Sequence, residues 1–78
     1  MDWREFAQNL GFRDEQELWD KMEKIFAEGD VGWYIAPLPD GRWVAFDDAE
    51  IALDRVEYFS TKAKAKRYLE ECWKEVIK

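Results

Sequence analysis

Histidine is absent from this 78-residue chain, and cysteine and serine occur once each, at Cys72 and Ser60. Without histidine the chain lacks the commonest general base and the commonest transition-metal ligand. One cysteine forms no intramolecular disulfide and cannot build a zinc site, and its solitude points to a reducing compartment. Cys72 falls on the apolar stripe of the last helical segment, where it reads as a buried, inert thiol. Ser60 stands where a helix begins, so capping explains it, and no base is at hand to activate it. The four glycines, at 11, 29, 32 and 41, make no phosphate-binding loop. No stretch approaches the ~20 apolar residues of a membrane helix. The opening MDWREF carries acids where a signal peptide has an apolar run. These absences lead to the expectation of a soluble, cytoplasmic protein that is not an enzyme. No catalytic residue, metal ligand or cofactor is assigned, and no membrane association is expected.

Aromatic residues, in contrast, are plentiful: Trp, Phe and Tyr make up 17% of the chain, enough to fill most of a small core. One domain spanning 1–78 is expected, since this length supports one core and not two. Net charge is −6, unevenly spread. Met1 to Thr61 holds six basic and fifteen acidic residues, a net of −9, and Lys62 to Lys78 holds six and three, a net of +3. An acidic body repels nucleic acid and attracts basic proteins, so direct nucleic-acid binding is not expected.

Two D-x-x-E signals, Asp2 to Glu5 and Asp14 to Glu17, mark helix starts, with Gly11 and Gly29 as the matching stops. Trp3, Phe6, Ala7 and Leu10 line one face of the first helix. Leu18, Trp19, Met22, Ile25 and Phe26 line the second, with Glu17–Lys21 and Asp20–Lys24 spaced for ion pairs. A hairpin follows from Val31 to Asp47, turning at Pro39-Asp40-Gly41. A three-residue loop puts Tyr34, Ala36, Val44 and Phe46 on one face, whereas a two-residue loop groups Trp33, Ile35, Val44 and Phe46. Asp47 to Asp54 reads as a turn with a short strand or as one turn of helix, and Val56 to Phe59 as a third, edge strand. The last helix, capped by Ser60 or Thr61, has the stripe Ala65, Tyr68, Leu69, Cys72, Trp73 and Val76. The expected fold is a two-layer α+β domain in the order α-α-β-β-(β)-α, with two or three antiparallel strands and helices on one face.

Eighteen acids supply paired carboxylates by chance, and Asp47, Asp48, Glu50 and Asp54 lack the order of a calcium loop. Lys62, Lys64, Lys66 and Arg67 oppose the macrodipole of the helix they begin; they read as a solvated face that offsets acids elsewhere, with a grip on phosphate or an acidic partner as the alternative. The hairpin is apolar on both faces in either register, so helices on one side leave the other exposed, the mark of a partner site. The expected partner-binding set is therefore Trp33, Tyr34 and Trp43 with the carboxylates Asp47, Asp48, Glu50 and Asp54. Their partner would be a protein with a basic surface, such as a nucleic-acid-binding complex. In size, acidity and lack of catalytic residues the chain resembles small phage-encoded inhibitors of CRISPR and restriction systems. That resemblance implies an inhibitor that presents carboxylates where phosphates would lie. The alternative is a structural homodimer or accessory subunit with no inhibitory target.

Overall fold

The structure, a computed structural model, describes residues 1–76, and of Val76 the backbone alone; Val76 as a stripe residue therefore lies outside the described side chains. The order is α1 (Trp3–Asn9), α2 (Glu15–Lys21), β1 (Glu23–Glu28), β2 (Val31–Pro37), β3 (Trp43–Asp47), a 3-10 turn (Leu53–Arg55), β4 (Glu57–Phe59) and α3 (Lys62–Val76). The four strands form an antiparallel meander in sequence order. This is a small α+β fold with one more strand than the sequence suggested.

Local chemistry accounts for the helix ends. Asp2 and Asp14 each accept a hydrogen bond at the N-terminus of a helix, from the N–H of Glu5 (2.8 Å) and Glu17 (3.0 Å). Gly11, at φ +104, ends α1. Its N–H reaches the Gln8 carbonyl and that of Phe12 reaches the Ala7 carbonyl, the paired bonds of a Schellman motif. Thr61 Oγ1 accepts from the Lys64 N–H at 3.2 Å and so caps α3. Because α2 has only seven residues, it depends on its cap and on packing. Asp14→Ala is expected to cost about 1 kcal/mol, read as a lower urea midpoint with an unchanged slope.

The second helix is shorter than its periodicity predicts. Met22 is already extended, and Glu23–Glu28 pairs with β2. Gly29 has φ +59, while Asp30 keeps a negative φ, the pattern of a II′ hairpin turn. A bulge between Lys24 and Phe26 lets Ile25 and Phe26 both lean toward the α3 side of the sheet. Phe26 then stacks on Trp33 at 4.5 Å and meets Trp73 at 4.8 Å, contacts a longer α2 would forgo. Asp20 and Lys24 thus fall on different elements, and Glu17 pairs with Arg13 at 3.0 Å.

In the second hairpin the Leu38 N–H donates to the Arg42 carbonyl at 2.7 Å, closing the three-residue loop. Tyr34, Ala36, Val44 and Phe46 accordingly pack on α1 and α2, around Phe6, Leu10, Phe12 and Leu18. Trp33, Ile35, Trp43 and Ala45 face the other way, onto Ala65 and Leu69 of α3. Helices therefore cover both faces, and the expected single-faced packing is corrected: the sheet is the middle of three layers. The apolar face opposite α1 and α2 is the seat of α3, whose Ala65 allows a close approach.

Candidate functional site

A meander brings the β1–β2 turn and the β3–β4 connection to the same end of the sheet. Glu28 and Asp30 lie in or beside the first, and Asp47, Asp48, Glu50 and Asp54 in the second. The two are stitched together where the Gly32 N–H donates to Asp48 Oδ1 (2.7 Å) and the Asp48 N–H donates to the Gly32 carbonyl (3.1 Å). The opposite end carries Arg42, whose guanidinium lies 4.8 Å from the Tyr58 ring centre. Lys62, at the start of α3, lies 5.7 Å from that of Trp43 and 3.1 Å from a Glu23 carboxylate oxygen. Carboxylates thus gather at one end of the sheet, whereas at the other Arg42 is paired with Asp40 at 2.8 Å and Lys62 with Glu23.

The seven residues expected to bind a partner do not form one surface. Tyr34 faces the α1–α2 layer and its hydroxyl donates to Asp48 Oδ2 at 3.1 Å. Burial, then the Asp48 hydrogen bond and its charge, raise the Tyr34 phenol above its ordinary pKa. Both Asp48 oxygens are thereby engaged within the fold. Asp47 lies on the opposite face, directly across the ladder from Trp33. Its carboxylate accepts from Arg55 at 3.2 and 3.4 Å, and only 10% of its side chain is exposed. Arg55 also reaches Glu50 at 3.8 Å, while Asp54 is exposed. Trp33 and Trp43 are half-buried among the residues under α3. Among the described residues no three His, Cys, Asp or Glu side chains converge on a metal-sized site. The reason is geometric: Asp47 and Asp48 point to opposite faces, each into a bond of its own.

Beside Asp47 a cleft of about 60 Å³ opens between the sheet and α3, with Trp33, Ala45, Asp47, Arg55, Tyr68 and Cys72 among its lining residues. Its existence owes much to Ala45, a small residue at the centre of β3. Burial, and then the neighbouring Cys72 and Glu57, raise the Tyr68 phenol above its ordinary pKa. Cys72 is a free, half-buried thiol at this cleft rather than a fully buried one.

The helical periodicity places Trp19 on a buried stripe, and the structure differs there. Leu18 takes the core position and is fully buried, whereas Trp19 is 40% exposed. Neighbours on a helix point about 100° apart, so a two-turn helix ending at Lys21 seats one of the two on the sheet. Trp19 packs edge-on to Trp3 at 5.8 Å, and Trp3 in turn edge-on to Phe46 at 6.3 Å. Phe46 stacks on Tyr34 at 5.7 Å. A series of aromatic contacts therefore runs from the exposed tryptophan to the acidic end. No protein-family model, curated protein or solved structure matches the chain. Among the described residues, no helix is long and apolar enough to cross a membrane.

Proposed function

We propose that this chain is a non-enzymatic protein-binding module that acts by occupying a basic surface of its partner. The observation that carries this reading is Trp19. It is a large, exposed aromatic held in place by Trp3, and interface anchors are enriched in tryptophan. The carboxylates Glu28, Asp30, Glu50 and Asp54 at the acidic end supply charge for steering toward a basic partner. In place of the sheet face first expected, the anchor is then the Trp3–Trp19 pair on the helical layer. Such a module inhibits by steric and electrostatic blockade, and a nucleic-acid-binding complex fits the charge, with carboxylates standing where phosphates would lie.

The sheet edges lend little to the homodimer alternative. The β4 edge is three residues long, and β1 carries a bulge and charged ends, both devices that discourage edge pairing. Sedimentation at micromolar concentration is expected to show a monomer. Immobilised chain is expected to capture a stoichiometric basic partner at low salt. Trp19→Ala should weaken that partner about 30-fold, the equivalent of about 2 kcal/mol, with little change in the unfolding midpoint. A partner indifferent to Trp19→Ala, or no partner at low salt, would overturn the reading.

A further inference from the structure

We propose that the cleft between β3 and α3 receives the ammonium tip of a partner's lysine side chain, with Arg55 as the resident cation that gives way to it. The proposal rests on the protein-binding reading and assigns the partner's chemistry at one point of contact. Its first support is the state of Asp47. This carboxylate is nine-tenths buried, and its Arg55 bonds, at 3.2 and 3.4 Å, are long for a charge-assisted pair. Arg55 is meanwhile divided between Asp47 and Glu50, so two carboxylates share one guanidinium and the cluster is short by one positive charge.

Size decides what kind of cation completes the cluster. About 60 Å³ admits a few waters or the tip of one side chain, and is far below what a metabolite needs. A compact ammonium with three donors fits such a space better than a planar guanidinium. The lining suits it: Trp33 and Tyr68 supply aromatic surface, which favours cations, and Asp47 supplies the counter-charge. Trp33 is held by its stack on Phe26, so the wall is formed before the ligand arrives. Arg55 is nearly half exposed and sits on a 3-10 turn, so it can swing toward Glu50 without disturbing a strand or helix.

The test uses the ¹⁵N-labelled full chain and N-acetyl-lysine-methylamide as the probe. The indole N–H of Trp33, assigned with Trp33→Phe, should shift saturably at millimolar probe, and the norleucine analogue should move nothing. Asp47→Asn should weaken the probe about tenfold or more, because a charge-assisted partner is lost. Arg55→Gln should tighten it several-fold, whereas Arg42→Gln, the same charge change at the other end of the sheet, should not. Absence of a Trp33 shift, equal binding to Asp47→Asn, or equal effects of Arg55→Gln and Arg42→Gln would overturn the proposal. Should Asp47→Asn fail to fold, as its spectrum would show, the arginine comparison alone decides. The two readings fail separately. A protein partner that needs Trp19 but ignores Asp47→Asn removes the lysine cleft and keeps the module. A bound probe with no protein partner does the reverse.

Discussion

Gly32→Ala is expected to destabilise the protein by about 2–3 kcal/mol, as overpacking combined with a lost, partly buried hydrogen bond. A methyl group at this position would stand 2.5 Å from the Tyr34 hydroxyl oxygen and 2.7 Å from the ring carbon that bears it. Tyr34 cannot simply turn away. Its ring stacks on Phe46 and its hydroxyl is bonded to Asp48, which in turn holds the Gly32 N–H. For a chain of this length that cost corresponds to a fall of about 10–20 °C in the unfolding midpoint. The backbone itself is no obstacle, since Gly32 is not among the glycines with positive φ. In a Tyr34→Ala background the same substitution should therefore be neutral or stabilising by about 0.5 kcal/mol, as alanine outranks glycine within a strand. The cycle of four proteins would show a large coupling. Simple additivity in thermal unfolding would show that the tyrosine does not set the requirement for glycine.

This lock also commits both oxygens of Asp48 to bonds within the fold. Its carboxylate closes the junction between two turns, at the end of the sheet where acids accumulate. Asp47 does the equivalent work on the other face with Arg55, and only Glu50 and Asp54 of the predicted carboxylates stay largely available to solvent. A count of acids in a loop thus overstates the charge that a partner meets.

Features set by nearest neighbours were legible in the sequence. Both aspartate caps, the glycine at the end of α1 and the Pro39-Asp40-Gly41 turn are decided by a few residues each. Features set by distant pairing were not. Met22, Ile25 and Phe26 continue a helical stripe from Leu18, yet the same residues serve a strand once β2 lies beside them. Gly29-Asp30 carried a signal for that outcome, because Gly-Asp between apolar runs suits a hairpin turn as well as a helix stop. The register of the second hairpin stayed open for a related reason. A sheet buried on both faces loses the alternation of polar and apolar residues that would fix it. Which tryptophans reach the surface follows from these long-range choices. Trp33 and Trp43 go under α3, and Trp19 is released by the early end of α2.

The dependence of that face on α3 leads to the other large expected effect, from Leu69→Ala. Among the described residues, the layer against α1 and α2 has ten buried residues, whereas the layer against α3 has four: Ile35, Ala45, Ala65 and Leu69. Two of those four are alanines, so among the described residues Leu69 supplies nearly all the fully buried side-chain volume that α3 brings. Its truncation should cost about 3 kcal/mol, the middle of the range for a buried leucine. A chain of this size has a total stability of only about 4–12 kcal/mol, so the loss is a substantial part of it. Because the thinner layer is the one weakened, α3 should open before the rest of the fold does. Amide exchange in α3 should then rise about 100-fold, with α1 and the β2–β3 ladder less affected. Trp33 and Trp43 should move toward solvent in fluorescence, and the uncovered face should drive association at micromolar concentration. If α1 and α3 instead lose protection equally, the two layers form one cooperative unit and α3 is not a separable cover.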